Sequence, residues 1–381
     1  MDKSSIDKIL SRTVETHGEN GAAYVITREG EPIALGGGGL ADVENGKPFT
    51  TSTICRAFSC TKVVTSTACM MLIERGLLDT GWELGWMIPE FSGAFYLENG
   101  QRKPSPAIKI RDLLNMTSGI AYPGGSYEGS EDINNLWGDL DKSINDGASM
   151  TTQEFAACAG KCALAFPAGR EWQYGSSADI LGAVIERVSG ESLSGFMRKN
   201  IFEPLGMEDT AFFVPPEKQE RLAVLYENAA EQPKRPGYVN LCIYDYDSEP
   251  AFQSGGAGLF TTAADLSKLG AALSTDGRGL LSPKAIDFMR RNGLTPEQRR
   301  TFNWDAVRGC GYGNLVRSLE DRNEAGLFAS CGSFGWDGWT GTYLLCDPEE
   351  RLSVTVFTQR CGAGTTQLAR SIVNAAYALR G

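Results

Sequence analysis

One histidine, His17, occurs in the 381 residues. A catalytic centre built on an imidazole base, or on a set of histidine metal ligands, is excluded unless His17 supplies it, and His17 falls at the end of an opening helical pattern. The ten cysteines contain no C-x-x-C pair, the nearest spacing being Cys158 and Cys162. No clustered metal-ligand set stands out either, so neither a metal nor any other cofactor is implied. Disulfide frameworks belong to small secreted domains, so in a chain of this size the cysteines read as reduced, small core residues. No run approaches the roughly 18 apolar residues of a membrane span. The opening MDKSSIDKILSRTVETHGEN lacks an uninterrupted apolar segment of signal-peptide type, which leads us to expect a cytoplasmic protein. Positive charge is scarce, with 36 Lys and Arg against 47 Asp and Glu, a net charge of −11. That balance disfavours both a nucleic-acid partner and an anionic membrane surface.

What is present is a globular composition, 42% hydrophobic and 9% aromatic with 45 glycines and 16 prolines, enough for one large domain or two moderate ones. Ile6, Ile9, Leu10 and Val14 mark one face of an amphipathic helix that Gly18 should stop. AAYVIT and EPIALG follow as strand candidates joined by REG in the manner of a hairpin. The far end mirrors this, with TYLLC and LSVTVFT separated by DPEER, then a helix marked by Leu368, Ile372, Val373 and Ala376. Strands gathered at both ends should pair into one antiparallel sheet carrying the terminal helices. The middle reads as helical: SADILGAVIERVSG has an apolar stripe closed by Gly190, and Thr262 with Asp265 has the spacing of a capping box. The expected architecture is α/β plus α, with residues 1–57 and 303–381 forming the sheet domain and 58–302 a large helical insertion. The site is expected at their interface.

Ser59 and Lys62 in FSCTK precede a segment, Thr61 to Arg75, that is apolar nearly all round and therefore buried. Three residues apart, the two side chains share a face of the first turn, and Gly76 ends the helix. A helix N-terminus favours an alkoxide or an anionic intermediate and disfavours an ammonium. Desolvation pushes the lysine further toward its neutral form, which can accept a serine proton. The plain alternative is a capping serine followed by a snorkelling lysine, although nothing structural asks for a cation at the start of an apolar helix. Cys60, beside Ser59, is turned about 100° away from it and reads as packing.

Two further stretches carry polar groups to loop tips. FPAGREWQYGSSADILG offers Tyr174 to pass a proton and Ser176 to bind substrate or hold Lys62; equally, it is an ordinary turn with a capping serine. SCGSFGWDGWTGTYLLC interrupts a strand edge with glycines, which allows close approach of a ligand or simply makes a hairpin. A backbone N–H on that edge, with the N–H of Ser59, could form an oxyanion hole. The loop AYPGGSYEGSEDINNLWGDL is expected to line the cleft with Tyr122, Tyr127 and Trp137.

Taken in order, these elements make the chain resemble the serine β-lactamase and penicillin-binding-protein superfamily. It is most similar to the class C-related group that includes esterases on the β-lactamase fold. The likeness runs through RAFSCTKVVTS, IKIRDLLNMTSGI, FPAGREWQYGSSADILGAVIERVSG, IFEPLGMEDTAF, SGGAGLFTTAADL and FGWDGWTGTYLLCDPEERLSVTVFTQ. The resemblance implies Ser59 as the acylated nucleophile, Lys62 as its base partner, and Tyr174 as the tyrosine of the Y-x-N motif. It also implies an oxyanion hole from the N–H groups of Ser59 and Trp339, with the base in dispute among related enzymes. Two departures stand out: Trp336-Asp337-Gly338 replaces K-T-G, and Ser176 replaces the usual asparagine. The first removes the cation that holds the carboxylate of penicillins and peptide stems, and Asp337 should repel that carboxylate unless it points away. Ser176, Trp336, Asp337, Gly338 and Tyr122 are the substrate-binding candidates. The expected activity is that of a serine hydrolase acting through an acyl-enzyme on small esters or amides, a carboxylesterase of the β-lactamase-like family. The alternatives are a β-lactamase or D-alanyl-D-alanine carboxypeptidase, and a non-catalytic binding protein on the same fold.

Overall fold

Two strands near the N-terminus turn back on each other through Glu29 and Gly30, both at positive φ, 52° and 82°. This is the backbone a two-residue hairpin needs to match the strand twist. Residues 3–16, 19–148, 150–227 and 234–379 are described in the computed structural model. The hairpin joins β1 (Gly21–Arg28) to β2 (Glu31–Asp42), and β3 (Lys47–Pro48) adds a short edge. Five strands come from the other end of the chain: β4 (Cys310–Gly313), β5 (Val316–Leu319), β6 (Phe334–Asp337), β7 (Tyr343–Asp347) and β8 (Leu352–Phe357). Together they form one eight-stranded sheet in the order β3-β2-β1-β8-β7-β6-β5-β4. The seam between the two ends is β1 on β8, antiparallel, from Ala23 opposite Phe357 to Arg28 opposite Leu352.

All six residues of β8 are buried, so both faces of the sheet are covered there. The helices α1 (Lys3–Thr16) and α5 (Gln367–Ala376) pack on β2, β8 and each other, while α4 (Ala263–Leu273) packs on β1, β7 and β8. The four apolar residues expected on one face of α5 are all fully buried. Gly18 and His17 lie outside the described residues. Thr262 caps α4 by accepting the Asp265 N–H at 3.0 Å, but the box is only half made. The Asp265 carboxylate turns instead to Lys268 and to the Asp209 N–H.

The central helix α2 (Thr61–Glu74) is buried from Thr61 to Leu72, which fits its lack of a polar face. It is packed between β5 and β6 on one side and α3 (Ser177–Ser189) on the other. Gly76 follows it at φ 69°, and Gly190, at φ 73°, closes α3 as expected. Ser59 belongs not to the first turn of α2 but to a 3₁₀ turn, Phe58–Cys60, that runs directly into it. Among the described residues no helix is long and apolar enough to cross a membrane.

Candidate active site

The chain reaches Ser59 from a short strand, Cys55–Arg56, paired with Phe260–Thr261. Phe58 then adopts φ 43°, a left-handed backbone that costs a non-glycine residue about 1–3 kcal/mol. Its ring is anchored 5.1 Å from that of Trp339, and the kink passes the chain from strand to helix at Ser59. Ser59 retains 8% of its surface, whereas Lys62, one turn on, is fully buried. Lys62 Nζ lies 3.1 Å from Ser59 Oγ, 3.1 Å from Tyr122 Oη and 2.8 Å from the Gly256 carbonyl. None of these partners is a carboxylate. Burial therefore pulls the amine down to about 7, against the opposing charges of Asp179, Cys60 and Asp337. An amine that gives up its proton near neutrality, beside a serine hydroxyl, has the chemistry a general base requires.

Tyr174 stands over the same pair, its ring centroid 4.5 Å from Lys62 Nζ. Its hydroxyl accepts from Trp336 Nε1–H at 2.9 Å, and the two rings stack at 5.6 Å. Burial pushes the phenol far above its ordinary value, although the bond from Trp336 and the neighbouring Ser59 hydroxyl pull the other way. Such a group carries a proton instead of ionising. Buried Trp172 lies tilted against Tyr174, and the half-exposed Trp304 packs edge-on to both rings. Gly338 lets the β6 edge come against the nucleophile turn, because a Cβ there would lie 2.3 Å from the Ala57 carbonyl. Thr342 Oγ1 donates to that same carbonyl at 2.7 Å and ties β7 to the turn.

A family model described as Beta-lactamase matches residues 6–377. The chain belongs to the Beta-lactamase family. It is 29% identical to Esterase EstB of Burkholderia gladioli over 377 residues, covering 94% of this chain and 91% of that protein. It is 27% identical to Lovastatin esterase of Penicillium rubens, covering 81% and 78%. Among solved structures it is similar to EstCE1, a hydrolase with promiscuous acyltransferase activity, with a TM-score of 0.82, 27% identity and 98% of both chains covered. The fold is shared with a penicillin-binding-protein homologue from Caulobacter crescentus at a TM-score of 0.72 and 22% identity, covering 98% of this chain and 96% of that one. This Beta-lactamase family member is a serine hydrolase.

Several residues occupy different places from those their motifs suggest. Ser176 neither binds Lys62 nor faces the cleft: it is fully buried, donates to the Ala121 carbonyl at 2.9 Å and accepts from Trp137 Nε1–H at 3.3 Å. The acceptor beside Lys62 is Tyr122 from a separate loop, so Tyr122 is more than a cleft wall. Trp137 is core, packed edge-on against Tyr122 and Phe155. Trp336 is only 3% exposed and holds Tyr174 from behind instead of presenting a surface to substrate. Asp337 points away from the nucleophile into an ion pair with Arg317 at 2.7 Å. Cys60 is buried, and burial pushes its thiol up to about 12, which removes it as a competing nucleophile. Sequence reasoning missed Gly256, Asp179 and Arg317. The adjacent glycines of SGGAGLF and an aspartate opening the apolar helix SADILGAVIERVSG were the available signals.

Proposed function

We propose that this serine hydrolase is a carboxylesterase for uncharged esters, with Ser59 as nucleophile, Lys62 as base and Tyr174 as proton carrier. The observation that carries this reading is the fully buried Lys62 amine, 3.1 Å from Ser59 Oγ and without a carboxylate in contact. Neutral Lys62 takes the hydroxyl proton as Ser59 attacks the ester carbonyl. The N–H groups of Ser59 and Trp339 receive the oxyanion. In support, Gly338 N–H bonds across to Thr342 O at 2.7 Å, whereas the next N–H, that of Trp339, has no intramolecular acceptor among the described residues. Tyr174 gives its phenol proton to the departing alcohol and is re-protonated by the Lys62 ammonium, which restores the neutral amine; water then takes the alcohol's place and the same transfers release the acid.

Selectivity for uncharged esters follows from the third motif. The lysine of K-T-G is replaced by Trp336, and the neighbouring cation Arg317 is already neutralised by Asp337. A carboxylated β-lactam meets no free positive charge there, which makes lactam hydrolysis the weaker reading. Ten unpaired cysteines support a reducing compartment, and we place the protein in the cytoplasm. The test is hydrolysis of short p-nitrophenyl esters beside nitrocefin, with mass analysis after an active-site phosphonate. Ester turnover with one adduct on Ser59 is the expected result. Preferred turnover of nitrocefin, or an adduct elsewhere, overturns it.

A further inference from the structure

One buried carboxylate beside the base has no task in the scheme above. Asp179, in the first turn of α3, is 1% exposed. Its Oδ1 accepts from the Ser254 hydroxyl and, at 3.1 Å, from the Gly256 N–H, the residue whose carbonyl receives Lys62. Its Oδ2 is buried and has no partner at bonding distance among the described residues. That oxygen faces the Tyr122 hydroxyl across bare Gly256. A Cβ on Gly256 would lie 2.8 Å from Asp179 Oδ2 and 2.6 Å from Tyr122 Oη, so the two oxygens converge on one small space.

The direction of hydrogen bonding around Lys62 then follows from counting donors. A neutral amine has two N–H donors and one lone pair. The Gly256 carbonyl can only accept, and it takes one N–H. Two hydroxyls remain, Ser59 and Tyr122, and whichever one donates receives the lone pair. Catalysis requires that Ser59 be the donor. A carboxylate can only accept, so Asp179, although beyond bonding distance, attracts the Tyr122 hydrogen electrostatically and leaves the Tyr122 oxygen to accept the second N–H.

We propose that Asp179 is a positioning residue, which orients the Tyr122 hydroxyl so that neutral Lys62 turns its lone pair to Ser59. This rests on Lys62 being the base for Ser59. Asp179→Asn keeps the size of the side chain and its contacts to Ser254 and Gly256 but presents an amide N–H to Tyr122, which reverses the phenol and draws the lone pair away.

The test measures p-nitrophenyl butyrate hydrolysis from pH 5 to 9 for the wild type, Asp179→Asn, Tyr122→Phe and the double variant. Asp179→Asn should lower kcat by ~100-fold with little change in KM. Its acid limb should move to lower pH by about one unit, because the Asp179 charge facing Lys62 is gone while Asp337 stays charged and Cys60, Tyr122 and Tyr174 stay neutral. In the Asp179→Asn background, removing the reversed hydroxyl with Tyr122→Phe should restore about tenfold of the lost kcat. A structural role alone predicts a further loss. Wild-type rate and limb in Asp179→Asn, or a double variant no faster than Asp179→Asn, overturns the proposal. If Asp179→Asn does not fold, Tyr122→Phe alone decides: a loss of roughly tenfold supports it, and an unchanged or raised kcat overturns it. Failure of the base assignment would show separately, as activity retained in Lys62→Arg.

Discussion

Two buried cations flank the nucleophile turn and behave oppositely. Lys62 is enclosed by a serine, a tyrosine and a carbonyl, and loses its charge near neutrality. Arg317, with 9% of its side chain exposed, meets the Asp337 carboxylate at 2.7 Å and lies over the Trp336 and Tyr343 rings. A guanidinium keeps its proton under any such burial. The difference lies in the partner: a buried amine without a counter-ion becomes a base, and a buried cation with one becomes a strut. The second arrangement supports the first, since the ion pair fixes the β6 edge from which Trp336 donates to Tyr174.

The comparison can be broken at either cation. Lys62→Arg makes the first one permanently charged, and kcat should fall by about 10²–10⁴-fold, checked on material that still shows a cooperative melt. Asp337→Ala strips the second of its counter-ion and should destabilise the fold by about 3–5 kcal/mol in denaturant titration. The double exchange Trp336→Lys with Asp337→Thr, meant to rebuild K-T-G, should be similarly unstable unless Arg317→Met accompanies it. The wild-type rate should be flat above the Lys62 value of about 7 and fall by about tenfold per pH unit well below it, because protonation removes the lone pair. A rate that stays constant down to pH 5 would count against Lys62 as the base. Trp336→Phe keeps the ring stack but deletes the bond to Tyr174, so kcat should drop by about tenfold with stability nearly unchanged. The smallest effect belongs to Cys60→Ala, expected within about twofold in kcat/KM, since a thiol held protonated by burial takes no part.

Much of the frame was legible beforehand because its signals are local. Alternation and turn residues marked β1, β2, β7 and β8, and apolar periodicity marked α3 and α5. The spacing of Ser59 and Lys62, together with an apolar helix that has no use for a cation, pointed to an amine base before any distance was known. The motif reading was less reliable where a side chain had two directions available. Ser176 follows Tyr174 by two residues as the motif asks, yet it faces the Ala121 carbonyl because Trp137 fills the space on that side. Asp337 carries a charge that the sequence left either facing substrate or pointing away, and Arg317, from a neighbouring strand, turns it away.

The amino-acid sequence by itself determined which groups exist: a serine one helical turn from a lysine, a tyrosine on a loop, and a single histidine at the end of the first helical pattern. Only the tertiary structure decided what those groups do. Proton affinity and hydrogen-bond direction depend on atoms that distant segments bring within about 3 Å. Around Lys62 those atoms belong to Tyr122 and Gly256, with the Asp179 charge lying beyond them, and local spacing connects none of these to Lys62.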